Sequence, residues 1–93
     1  MKKIIIDGKE FETWRIPTEL AAILLIKAAH GFISCGYFDI ETANKLQERV
    51  GIVTGVKTFD DMLEAKIIKC SDVAEIAGVS IGMTGREALL KLS

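Results

Sequence analysis

The chain has 93 residues, of which 49% are hydrophobic and 27% charged, and its formal net charge is −1 at neutral pH. This describes one folded domain, residues 1–93, able to bury roughly 60–65% of its unfolded surface without help from metals or disulfides. The same balance excludes a disordered chain and leaves no basic surplus for nucleic acid, whose affinity rests on neutralised phosphates.

The longest apolar run, AAILLI at 21–26, is broken by Lys27 and falls far short of the ~20 residues of a membrane span, so no membrane association is expected. The apolar segment of the opening MKKIIIDGKE is too short for a secretory signal. The chain is therefore expected in the cytoplasm, with Cys35 and Cys70 as reduced thiols. Two cysteines and one histidine, without CxxC or HxxxH spacing, do not supply a four-ligand zinc site, so no metal or cofactor is expected.

Ile4 to Ile6 and Phe11 to Ile16 read as two strands joined by Asp7-Gly8, a dipeptide that tolerates the positive φ of hairpin turns. Pro17 ends the second strand by removing a ladder donor. The run ELAAILLIKAA at 19–29 carries both helix and strand signals. His30-Gly31 decides for strand, as a turn dipeptide leading into the aromatic and β-branched FISCGYF at 32–38.

The pattern then alternates. Asp39 caps a helix from Ile40 to Arg49, Gly51 follows it, and Ile52 to Val56 forms a short strand. Thr58 caps a helix to Ala65, Ile67 to Cys70 is a strand, and Ser71 or Asp72 caps a helix ending at Gly78. Thr84 and Glu87 have capping-box spacing at the head of a last helix ending near Leu92. Two successive strand-helix-strand crossovers imply parallel neighbours after N-terminal antiparallel hairpins. The expected fold is α+β, a two-layer sandwich with a mixed sheet and helices mainly on one face.

ISCGYFDI at 33–40 overlays IVTGVKTF at 52–59, with Gly36 on Gly55 and cap Asp39 on cap Thr58. Two corners of one geometry are a sufficient reason. VTGVKT at 53–58 is too short for a P-loop, places Val56 where a phosphate-wrapping backbone is needed, and runs into Asp60 and Asp61, which would repel an anion. Helix capping by Thr58 and Asp61 is the first explanation of this stretch. Lys57 with Asp61 is otherwise a surface ion pair or a proton-transfer pair, the second requiring burial.

In a sheet with parallel crossovers, ligand sites collect beyond the carboxyl ends of the strands, where Cys35, Gly36, Thr54, Gly55 and Lys57 all fall. A Cys35–His30 pair within one chain is excluded, because five strand residues separate them by roughly 16 Å. Thr58 and Arg86 complete the candidate ligand contacts. Arg86 suits a carboxylate or a neighbouring subunit, and Trp14 and Tyr37 are the large amphipathic aromatics, for core or interface.

The run LLIKAAHGFISCGYFDIETANKL, with VTGVKTFDDMLEAKI and GMTGREALLKL, resembles the YunC-like family of small proteins, a domain-of-unknown-function family, over residues 22–92. The resemblance implies a compact α/β sandwich and strengthens the strand reading of residues 22–29. It implies no activity. The favoured reading is a module without established catalysis that self-associates, with a dimer preferred on grounds of symmetry, or binds a protein or small ligand. The alternative is a small-molecule enzyme using Cys35 or Lys57, with Asp61 or Asp39 as orienting carboxylate.

Overall fold

A computed structural model describes residues 1–93. In chain order the elements are β1 (Lys2–Ile6), β2 (Lys9–Pro17), β3 (Ala22–Ala28), β4 (Gly31–Ser34), α1 (Ile40–Leu46), β5 (Val50–Ile52), α2 (Phe59–Glu64), β6 (Lys69–Cys70), α3 (Asp72–Ile76) and α4 (Gly85–Leu92). The six strands form one mixed sheet in sequential order, so the expected α+β fold is the observed one.

The β1–β2 hairpin turns at Asp7 and Gly8 with φ of 50° and 79°, the positive values that the dipeptide was expected to adopt. Residues 22–28 are a strand, antiparallel to both β2 and β4. Strand β4 ends at Ser34, four residues earlier than FISCGYF suggested. Cys35 still donates its N–H to the Leu24 carbonyl at 3.1 Å, but beyond it the chain turns back and Phe38 packs edge-on against Phe32 with centroids 5.8 Å apart. Aromatic content there serves a fold-back rather than a ladder.

Helix α1 stops at Leu46 instead of Arg49 because Gln47 takes the left-handed cap position at φ 57°. Arg49 is thereby released to accept the Phe32 N–H at 3.0 Å and begin the pairing that draws Val50–Ile52, not Ile52–Val56, into the strand. Gly51 thus lies inside β5, where an added Cβ would meet Ile67 Cδ1 at 3.0 Å.

Only the first crossover is parallel: β4 and β5 run together, whereas β6 returns antiparallel to β5. The expected second parallel crossover does not form: the Ile68 N–H donates to the Ile52 carbonyl at 2.9 Å, which starts the returning chain antiparallel beside the end of β5.

Alternation along the strands sorts the sheet into two unlike faces. Phe11, Leu24, Ile26 and Ile33 point to one side and join Met62, Ala74, Leu89 and Leu92 from α2, α3 and α4 in a core of 15 buried residues. Phe32, Val50 and Ile52 point to the other side, where α1 covers them with Ala43 and Ile40. Three helices therefore share one face, and α1 sits alone on the second, over its β4–β5 end. No helix is long and apolar enough to cross a membrane.

Candidate functional site

The parallel pair positions the site. Beyond the ends of β4 and β5, Cys35, Gly36, Tyr37, Thr54, Gly55 and Val56 line one open cleft of about 330 Å³. In the overlay of the two corners these are three equivalent pairs: Cys35 with Thr54, Gly36 with Gly55, and Tyr37 with Val56. The corners touch, since a Cβ on Gly36 would stand 3.4 Å from Thr54 Cγ2, and they are tied by the Val53 N–H donating to the Ser34 carbonyl at 3.0 Å. Gly55 turns its corner at φ +71°, a conformation open to glycine at no steric cost.

The N–H groups of Gly36, Tyr37, Thr54, Gly55 and Val56 donate to no acceptor within the protein. Both corners leave the ladder before the chain resumes regular structure, so their donors are surplus to the fold. No charged side chain lines the cleft.

Of the residues singled out in the sequence, Cys35, Gly36, Thr54 and Gly55 meet here; Lys57, Thr58, Asp61 and Arg86 do not line the cleft. Thr58 caps α2, accepting the Asp61 N–H at 3.0 Å, while Asp61 Oδ2 accepts the N–H groups of Lys57 at 3.0 Å and Thr58 at 3.2 Å. Those donors, the Lys57 N–H foremost, hold the Asp61 carboxyl below the usual carboxylate range. Asp39 is likewise lowered, first by the Thr42 hydroxyl at 2.9 Å and then by the Glu41 N–H. Arg86 reaches Glu64 at 3.3 Å on the exposed side of α4 and α2. Tyr37 and Val56 were not singled out as cleft residues, although their place after each corner glycine was the available signal.

The capping geometry sets one expectation. Thr58→Ala leaves the Asp61 N–H without its side-chain acceptor and is expected to cost about 1 kcal/mol, read by urea denaturation. The lowered Asp61 value means that its capping contribution is present above pH ~4 and fades as pH falls through the folded-state value. An Asp61→Asn variant whose stability deficit against the parent narrows on acidification is the expected signature.

The two thiols differ in surroundings. Cys35 is 7% exposed, and its Sγ accepts the Leu24 N–H at 3.4 Å. Cys70 is half-buried beside the Val79 carbonyl, and burial, followed by Glu75 and Asp72, pushes its thiol up. Alkylation across pH 5–9, followed by peptide mass, is expected to be slow at both positions near pH 6. Cys70 labelling should climb only in the alkaline part of the range. Rapid labelling of Cys35 alone near pH 6 would contradict its buried position.

Comparison with known proteins agrees with this architecture. The chain is 37% identical over 93 residues to the protein named "Uncharacterized protein YunC" of Bacillus subtilis (strain 168), covering 96% of this chain and 92% of that one. Its fold matches the crystal structure of a protein of unknown function, TA1206, from Thermoplasma acidophilum, with a TM-score of 0.94 and 37% identity over 99% of this chain and 90% of that chain. No catalytic role is established for these relatives. Residues 34–92, which include both corners of the cleft, match the family described as "Domain of unknown function (DUF1805)". The chain belongs to this YunC-like DUF1805 family.

Proposed function

We propose that this protein is a small-ligand-binding domain whose site is the cleft between the Cys35–Tyr37 and Thr54–Val56 corners. One observation carries the reading: five residues lining a single cleft have backbone N–H groups without a protein acceptor. Backbone donors at the carboxyl ends of parallel strands suit a small molecule that presents acceptor oxygens. With no charged side chain in the lining, a carbonyl or a single carboxylate fits better than a phosphate, and Val56 and Tyr37 offer apolar surface to the rest of the molecule.

The enzyme alternative keeps Cys35 but loses its partners. Lys57 and Asp61 lie outside the cleft, and Asp61 is occupied by the α2 cap. A binding role needs neither. Two free thiols support a cytoplasmic setting.

The test is a titration of the amide spectrum of the full chain with sodium acetate, acetamide and sodium phosphate. Saturable shifts at Gly36, Tyr37, Thr54, Gly55 and Val56 with acetate or acetamide are expected. Gly36→Val, which fills the cleft from a position where a Cβ makes only ordinary contact, is expected to abolish them without unfolding the chain. Shifts that do not saturate, or that spread evenly over the surface, would overturn the reading.

A further inference from the structure

The sheet face that α1 leaves uncovered breaks the usual alternation. Antiparallel strands with one solvated face carry polar residues outward, yet β2 and β3 present Trp14, Ile16, Ile23 and Leu25 there. With Phe38 these four line an entirely apolar groove of about 240 Å³. Through Leu25 and Phe38 it continues into a larger groove of about 630 Å³ that runs along α1 to Leu46. Trp14 is 43% exposed, Ile16 56%, Tyr37 60%, Phe38 38% and Leu46 68%.

We infer that this face is the interface with a second copy of the same chain, related by a twofold axis. The first reason is area. With an aromatic side chain carrying roughly 150–250 Å², the exposed parts of these five residues amount to roughly 500 Å², most of the ~800 Å² per partner of a standard interface. The polar rim supplies the remainder.

The second reason is charge. Beside the apolar stripe, Lys3, Glu12 and Lys27 stand in register across β1, β2 and β3, with Glu10 within 3.7 Å of Lys3. The row alternates in sign and sums to zero with Glu10, and a twofold rotation can set its lysines against the glutamates of the other copy and against Asp39 and Glu48, which line the larger groove.

The third is shape. An exposed indole and an apolar groove lie on the same surface, so Trp14 of one copy can enter the groove beside α1 of the other, and the reverse, as an isologous contact requires. Tyr37 borders both this groove and the strand-end cleft, so the second copy would stand at the mouth of the ligand site.

Sedimentation velocity on the full chain, from about 1 to 100 µM, tests the inference. The expected mass is twice 10.2 kDa, with the single tryptophan emission shifting to longer wavelength as dilution frees Trp14. Trp14→Glu and Ile16→Lys, each folded by circular dichroism, are expected to sediment as monomers. Ile76→Glu, on the far side of the sheet at a residue 85% exposed, should leave the dimer intact. A parent chain that stays monomeric at 100 µM overturns the inference. So does a dimer that survives both face variants, and so does one lost in Ile76→Glu.

Discussion

Gly85→Ala is expected to destabilise the protein by about 3 kcal/mol, the upper end of what overpacking costs, and to lower the melting midpoint by roughly 10–20 °C. Local reasoning gives the opposite sign, since alanine in place of glycine in a helix ordinarily gains 0.5–1 kcal/mol. The difference is the neighbour. Gly85 opens α4 against α2, fully in the core, and an added Cβ would collide with the Met62 backbone carbonyl and stand 3.0 Å from Ile33 Cδ1. A carbonyl at the end of a packed helix cannot swing aside as a side-chain tip can. The Gly85 N–H also donates to the Ala65 carbonyl at 2.8 Å, which holds the two segments at that separation. Gly36→Ala is the control, because its Cβ would meet nothing closer than Thr54 Cγ2 at 3.4 Å; it should change stability by less than about 1 kcal/mol. Thermal unfolding of the two variants side by side decides the matter, and a Gly85→Ala variant as stable as its parent would refute the close-approach argument.

Ser71→Ala is expected to cost about 3 kcal/mol, well above the ~1 kcal/mol of a simple helix cap. The Ser71 hydroxyl is fully buried. It donates to the Glu48 carbonyl at 2.6 Å and accepts the N–H groups of Val50 at 3.0 Å and of Ala74 at 3.4 Å. One oxygen thus caps α3 and joins it to the start of β5. Removing it strands two buried donors and one half-buried acceptor. Urea denaturation with an unchanged slope and a lower midpoint is the expected result. Thr58→Ala, which removes only an exposed cap, supplies the internal comparison. Equal losses in the two variants would mean that the link to β5 contributes nothing.

These two positions also show how far local reading reaches. Ser71 was legible as a cap because a cap and the N–H that donates to it lie within three residues. Its bonds to Glu48 and Val50 depend on β5 lying beside the start of α3, and no local pattern records that. Gly85 was legible as the residue after a cap, whereas its contact with Met62 exists only once α2 and α4 are packed. The cleft is an intermediate case. Its corner glycines and Cys35 and Thr54 stood out in the chain, yet whether Lys57 joined them depended on where β5 ended. That end was set by the last bond between the two parallel strands, from the Val53 N–H to the Ser34 carbonyl.

The sequence by itself determined the α+β class, the Asp7-Gly8 hairpin, and the caps at Asp39, Thr58 and Thr84. In the hairpin and the caps both partners lie within a few residues, so composition and spacing contain the whole interaction. Only the tertiary structure decided where β4 and β5 stop, that β6 returns antiparallel, that the lysine stays outside the cleft, and that α1 lies alone on the second face beside an uncovered Trp14. Those outcomes turn on packing between segments tens of residues apart. Strand ends follow the partner's length, and a face is buried or left open according to which helices pack on it.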